Sequence, residues 1–187
     1  DEDALAAMGI AAPDDVVEGT ASGETIDAGY IGDPEGDRVD AGDNAAGNDD
    51  DSITAGAGND TVTAGDGNDT VLGEGGADSI DGGIGDDNID GGSENDTVFA
   101  WTGDDSVIGG TGDDVIFGQD GADTIRGGEG ADSLDGDDAT AGADQIFGDA
   151  GNDTIISDGG NDTIEGGADN DLIFAGADDD SVSGGTG

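Results

Sequence analysis

From Asp51 to Val182 the chain repeats itself every nine residues, and no other feature limits its possible folds so sharply. An aspartate recurs at Asp51, Asp60, Asp69, Asp78, Asp87, Asp96, Asp105, Asp114, Asp123 and Asp132. After one slip of three residues around Ala139-Thr140-Ala141 it resumes at Asp144, Asp153, Asp162, Asp171 and Asp180. Two residues beyond each acid stands an aliphatic side chain, from Ile53, Val62 and Val71 through to Ile164, Ile173 and Val182. With the acid counted as the sixth place, places one to six are rich in Gly, Asn and Asp, residues that tolerate positive φ and tight turns. Places seven to nine, such as Thr61-Val62-Thr63, are β-formers with one apolar residue between mostly polar ones. That alternation points the middle residue inward. Each unit therefore predicts a six-residue turn and a three-residue strand. A helix is excluded, since each interior glycine costs ~1 kcal/mol relative to alanine.

Two units back to back close a loop of eighteen residues, with two strands facing each other through their aliphatic side chains. Stacked loops pair each strand in parallel with the one a coil later, about 4.8 Å away, so the fifteen regular units predict roughly seven turns and a rod some ~35 Å long. Each aspartate then stands above the aspartate one coil earlier, in two columns, one along each edge. The regular repeats occupy residues 46–187. Residues 19–45 read as irregular early turns with longer loops, carrying the acid–aliphatic pairs Glu24/Ile26 and Asp37/Val39. Residues 1–18 lack the pattern and read as an N-terminal cap or a linker. The chain starts at Asp and stops at Ser-Gly-Gly-Thr-Gly, as though within another repeat, so it is expected to be part of something longer.

Like charges at a fixed interval demand a partner, and the chain holds almost none of its own. Asp and Glu total 49 against 2 basic residues, Arg38 and Arg126, for a formal net charge of -47, with no histidine and no cysteine. Zinc and iron sites of the usual kind, disulfides, and Ser-His-Asp or Cys-His nucleophiles are therefore excluded. So is a P-loop, which needs its lysine. The field repels nucleic acid and anionic membrane. No stretch approaches the ~20 apolar residues of a membrane span, and the acidic opening is not a secretory signal peptide.

What such a chain attracts is cations. One aliphatic side chain per nine residues is little burial against the entropy of ordering a glycine-rich chain. Carboxylates about 5 Å apart add roughly 3 kcal/mol of repulsion per pair at an effective dielectric near 20. The metal-free chain is expected not to fold. Calcium takes six to eight oxygens in flexible geometry, whereas magnesium demands near-octahedral geometry and holds its water. Each site is expected to take one aspartate from each of two stacked turns, plus carbonyls of the intervening glycine turns. The candidate carbonyl donors are Gly56, Gly58, Gly65, Gly67, Gly76, Gly83, Gly85, Gly92, Gly103 and Gly110, followed by Gly112, Gly121, Gly128, Gly130, Gly142, Gly151, Gly160, Gly167 and Gly176. Thirteen aspartate pairs one coil apart predict roughly a dozen Ca2+ ions.

The units Gly82-Gly83-Ile84-Gly85-Asp86-Asp87-Asn88-Ile89-Asp90 and Gly109-Gly110-Thr111-Gly112-Asp113-Asp114-Val115-Ile116-Phe117 fit G-G-x-G-x-D-x-U-x, a pattern known for calcium-binding β-helix repeats. From about Ala46 to Gly187 the chain resembles the RTX (repeats-in-toxin) modules of secreted bacterial proteins, among them haemolysin-type toxins, serralysin-like proteases, lipases, adhesins and surface-layer proteins. The resemblance implies an all-β fold, a right-handed parallel β-roll or β-solenoid with two nine-residue repeats per turn. It also implies passage through type I secretion machinery unfolded, and calcium-driven folding outside the cell or at its surface. Departures from the pattern are Glu94, Asp169 and Asp178 at the fourth place and Trp101 at the second, while Asp180 lacks a following turn.

The leading function is a structural, calcium-dependent segment of a larger extracellular protein, with no catalytic residues of its own. The alternatives are an adhesive or ligand-binding segment for ice, polysaccharide or a host surface, and the C-terminal module of a secreted protease or lipase. Ice binding would want a regular row of Thr or Asn, and the third places, such as Asp66, Ile84 and Thr102, offer none. Paired carboxylates can hydrolyse glycosides, but fifteen identical ones are structural. Phe99 and Phe117, eighteen residues apart, are expected to stack on the outer face, as a cross-strand pair or a docking patch. Asn59, Asn68, Asn95, Asn152 and Asn161 fit a glycosylation acceptor, but turn geometry is the better account of them.

Overall fold

The computed structural model describes residues 16–18, 25–26, 50–136 and 142–187. All regular structure among them is β. The strands in chain order are β1 (Val16–Glu18), β2 (Thr25–Ile26), β3 (Ser52–Thr54), β4 (Thr61–Asp66), β5 (Thr70–Leu72) and β6 (Ser79–Ile84). Next come β7 (Asn88–Ser93), β8 (Thr97–Thr102), β9 (Ser106–Thr111), β10 (Val115–Asp120), β11 (Thr124–Glu129) and β12 (Ser133–Asp135). The series ends with β13 (Gln145–Ala150), β14 (Thr154–Ile156), β15 (Thr163–Glu165), β16 (Leu172–Phe174) and β17 (Ser181–Ser183). Odd strands form one sheet, β1 to β17, and even strands a second, β2 to β16. Every pairing is parallel, so the chain alternates between sheets and stacks coil upon coil into a β-solenoid of about seven turns.

Register follows the repeat. Ile80 pairs with Val98 and Val98 with Ile116, eighteen residues apart. Across the slip the interval becomes twenty-one, Ile125 pairing with Ile146 and Leu134 with Ile155. The two sheets enclose one core made of the eighth-place side chains from Ile53 to Ile164, joined by Ile26 and by the first-place alanines Ala55, Ala64 and Ala100. Val182, on the last strand, is 50% exposed because no later coil covers it.

One expectation needs correction. Where strands are long they run for six residues, not three, continuing through places one to three of the next unit, as in Thr61–Asp66. The turn proper is only places four to six. Glycine makes this possible: the second-place residue takes a positive φ, as at Gly65 (118°) and Gly83 (111°), yet Gly65 still pairs with Gly83 and Asp66 with Ile84. Val16–Glu18 pairs with Ser52–Thr54, so β1 is a rung of the first sheet, and Thr25–Ile26 likewise pairs with Thr61–Val62. Both intervals are thirty-six residues. Asp15 stands two places before Val17 and nine before Glu24, a pairing in the sequence that marks this early coil. Asp37/Val39 and the inserted Ala139-Thr140-Ala141 lie outside the described residues.

Candidate metal centre

The parallel register brings the fifteen repeat aspartates into two columns, as expected: Asp51, Asp69, Asp87, Asp105, Asp123, Asp144, Asp162 and Asp180 in one, and Asp60, Asp78, Asp96, Asp114, Asp132, Asp153 and Asp171 in the other. Along both columns the backbone N–H of each aspartate donates to Oδ1 of the aspartate one coil later, at 2.7–3.1 Å. The chain of bonds does not break at the slip, where Asp123 donates to Asp144 and Asp132 to Asp153. From Asp60 to Asp162 these side chains are at most 3% exposed. A carboxylate turned inward is tolerable only if its oxygens are matched. One is. The other, Oδ2, is buried without a hydrogen-bond partner in Asp78, Asp87, Asp96, Asp105, Asp114, Asp132, Asp153, Asp162 and Asp171.

The electrostatic consequence is uniform in sign. Burial pushes the carboxyls of Asp87, Asp96, Asp105 and Asp132 up to about 7 and that of Asp78 up to about 6. The donated N–H of the aspartate one coil earlier opposes the shift, and neighbouring carboxylates add to it. Asp114 and Asp153 are raised for the same first cause.

Where the first place of the unit is glycine, Oδ2 of the same unit lies against it. At Gly91 the position a Cβ would take lies 2.7 Å from Asp96 Oδ2 and 2.7 Å from the Gly109 carbonyl oxygen. At Gly109 the distances are 2.5 Å to Asp114 Oδ2 and 2.7 Å to the Gly127 carbonyl oxygen. A side-chain oxygen and a main-chain oxygen of the next coil thus converge beside each such glycine. Among the described residues no group of three acidic side chains gathers to hold a metal. A cation here would rest on aspartate oxygens plus backbone carbonyls, the hard donor set that suits calcium and that soft-metal chemistry avoids. The buried, unpartnered Oδ2 atoms fit such an ion.

The glycines anticipated as donors lie at the second and fourth places and, Gly142 aside, share positive φ, from 79° at Gly176 to 157° at Gly121. Their carbonyls stack coil on coil: a Cβ at Gly85 would strike the Gly67 carbonyl oxygen, and one at Gly83 that of Gly65. Gly142, at the fourth place beyond the slip, abuts the Gly121 carbonyl in the same way. The first-place carbonyls of Gly109 and Gly127, which lie beside the first-place glycine of the preceding coil as Oδ2 does, were not anticipated. Nothing in a nine-residue alignment says which way an aspartate side chain turns. Where glycine is absent the backbone keeps its sign, at Glu94 (78°), Asp169 (78°) and Asp178 (85°) in the fourth place, at a cost of about 1–3 kcal/mol each.

A second ladder runs outside the first. Fifth-place Asn and Asp side chains accept from the backbone N–H one coil later, as in Asp86 to Asn68 Oδ1 (3.0 Å), Asp113 to Asn95 Oδ1 (3.0 Å) and Asp179 to Asn161 Oδ1 (3.1 Å). This gives the asparagines a place in the turn. The frequency of Asn or Asp before the sixth-place acid was the signal for it. Asn68→Ala is expected to cost the calcium-loaded chain about 1 kcal/mol, read as a lowered Tm at fixed calcium. An unchanged Tm would show the outer ladder to be idle.

Phe99 and Phe117 stack with centroids 5.0 Å apart and planes at 4°, as their register requires. Arg126, the one basic residue among the described, lies over the Phe147 ring and meets Asp149 at 3.1 Å.

No curated protein matches the chain. The family of the RTX calcium-binding nonapeptide repeat (4 copies) matches it repeatedly, over residues 45–80, 63–98, 72–107, 81–116, 108–139, 138–164 and 156–187. These matches run across every regular coil and both aspartate columns. With nine-residue units stacked into a β-solenoid along the described coils and family matches over residues 45–187, the chain belongs to the RTX calcium-binding nonapeptide repeat family.

Proposed function

We propose that this chain is a structural segment of a larger extracellular bacterial protein, unfolded at low calcium and folded by roughly a dozen Ca2+ ions once outside the cell. The carrying observation is the row of buried, unpartnered Oδ2 atoms, which a fold maintained without cations would have to protonate or leave unsolvated. Calcium would lie between successive coils, held by the column aspartates from Asp51 to Asp180 and by carbonyls of the turn glycines. Bound there, the ion supplies positive charge and organises oxygen donors; the chain's own residues set the coil spacing and exclude water. Cytosolic calcium is too low to fill sites of ordinary affinity, so a chain of this kind stays unfolded until exported, consistent with the type I route implied by the family. A non-enzymatic role fits the repetition: the column acids from Asp60 to Asp162 are all buried alike, and none is set apart for proton transfer.

Equilibrium dialysis against calcium tests the reading. Bound calcium per chain is expected to reach about a dozen, with release on acidification, because each ligand must be deprotonated to bind. Saturation at one or two ions would contradict it.

A further inference from the structure

One side chain on the even-strand sheet is not required by the repeat, and the backbone holds it in an unfavourable conformation. Trp101 occupies a second place with φ of 80°, opposite Gly83 on one neighbouring strand and Gln119 on the other. A bulky residue at positive φ is an outlier, and such outliers persist only where the surroundings hold them. Here the Trp101 side chain, whose only donor is Nε1–H, lies beside Asp81 on the adjacent coil, and the two line the same space. Gly83 has no side chain to compete for the space. The result is an open cleft of about 130 Å3, lined by Asp81, Gly83, Ile84, Trp101 and Thr102. Ile84 is 59% exposed and Trp101 43%. Neither is needed for the core, which is complete without them.

The chemistry of the cleft is selective. An indole and an aliphatic side chain beside one carboxylate, on a chain of formal charge -47, disfavour anions outright. Small hard metal ions gain nothing from an apolar wall, since they seek oxygen donors. An alkylated ammonium gains from all three parts: the ring attracts it through its quadrupole, the carboxylate compensates its charge, and its methyl groups pack on the isoleucine. We infer that the cleft formed by Asp81, Ile84 and Trp101 binds a quaternary ammonium group. This site needs the roll to be folded but does not depend on which atoms ligate calcium.

Because Trp101 is the sole tryptophan, its fluorescence reads the cleft directly. Choline chloride titrated into the calcium-saturated chain is expected to give a saturable change with a Kd on the order of 1–10 mM. Its uncharged isostere 3,3-dimethylbutan-1-ol is expected to bind roughly tenfold more weakly, and Asp81→Asn to weaken choline by a similar factor. Trp101→Gly installs the residue found at this place in the neighbouring coil, so it keeps the calcium-dependent β spectrum while calorimetry shows choline binding lost. Phosphatidylcholine vesicles separate the sources of the group: cosedimentation assigns a lipid headgroup, and its absence together with choline saturation assigns a free solute. A response linear in choline and matched by sodium chloride, equal binding of the isostere, or undiminished choline binding by Trp101→Gly would overturn the proposal.

Discussion

Gly85→Ala is expected to remove about 3–5 kcal/mol from the calcium-loaded roll, a large share of the stability of any single domain. Gly85 has φ of 132°, which side chains rarely adopt, and an added Cβ would collide with the Gly67 carbonyl, a backbone group with no freedom to turn aside. Coils with Glu94 or Asp178 at this place relax to φ of 78° and 85°. Gly85 cannot follow cheaply, because Gly67 on one side and Gly103 on the other hold 136° and 139°, and all three would have to shift together. Gly75→Ala is the control. Its Cβ would meet only Ser93 Oγ at 3.3 Å, so it is expected to cost under about 0.5 kcal/mol. Thermal unfolding of both variants at one calcium concentration gives the comparison. Equal losses would mean that stacked fourth-place carbonyls do not govern the turn.

Acid alone is expected to drive the metal-free chain towards the roll. The column carboxyls have folded values raised from 3.8 to about 7 in Asp87, Asp96, Asp105 and Asp132, and to about 6 in Asp78. The folded state therefore binds more protons than the unfolded one, and stability falls as pH rises. Their contribution is fully present below about 3.8 and is lost as pH climbs through 6 to 7. In chelator, far-UV circular dichroism is expected to show coil at pH 7.5 and growing β signal towards pH 4.5, with sedimentation confirming monomers near the pI of about 4.1. Calcium inverts the dependence, since it binds the deprotonated form. A metal-free chain that stays coil across this range would show that burial is not what sets these carboxyls apart.

Much of this architecture was legible because it is periodic. A nine-residue interval with an aliphatic at the eighth place dictates two strands per coil and a core such as Ile80, Val98 and Ile116, and parallel stacking then aligns the acids. What periodicity could not convey was direction. That Asp105 turns inward, accepts the Asp87 N–H and leaves its second oxygen buried is a matter of side-chain orientation, which no spacing encodes. Strand length was underread for a similar reason: Gly65 looks like a turn residue, yet at positive φ it sits inside a strand paired on to Ile84. The earliest rung is hard to read for a related reason: Val17 pairs with Ile53, thirty-six residues on, which is twice the regular interval.

The central claim is that cations, not packing, hold the columns together. The most direct measurement is a far-UV circular dichroism titration of the metal-free chain at pH 7.5 with calcium, with magnesium as control and Trp101 fluorescence alongside. The predicted result is a coil that converts cooperatively to β with calcium and does not with magnesium. A chain already β in chelator at that pH would contradict it, and would mean that the buried carboxylates are carried by the hydrogen-bonded ladder alone.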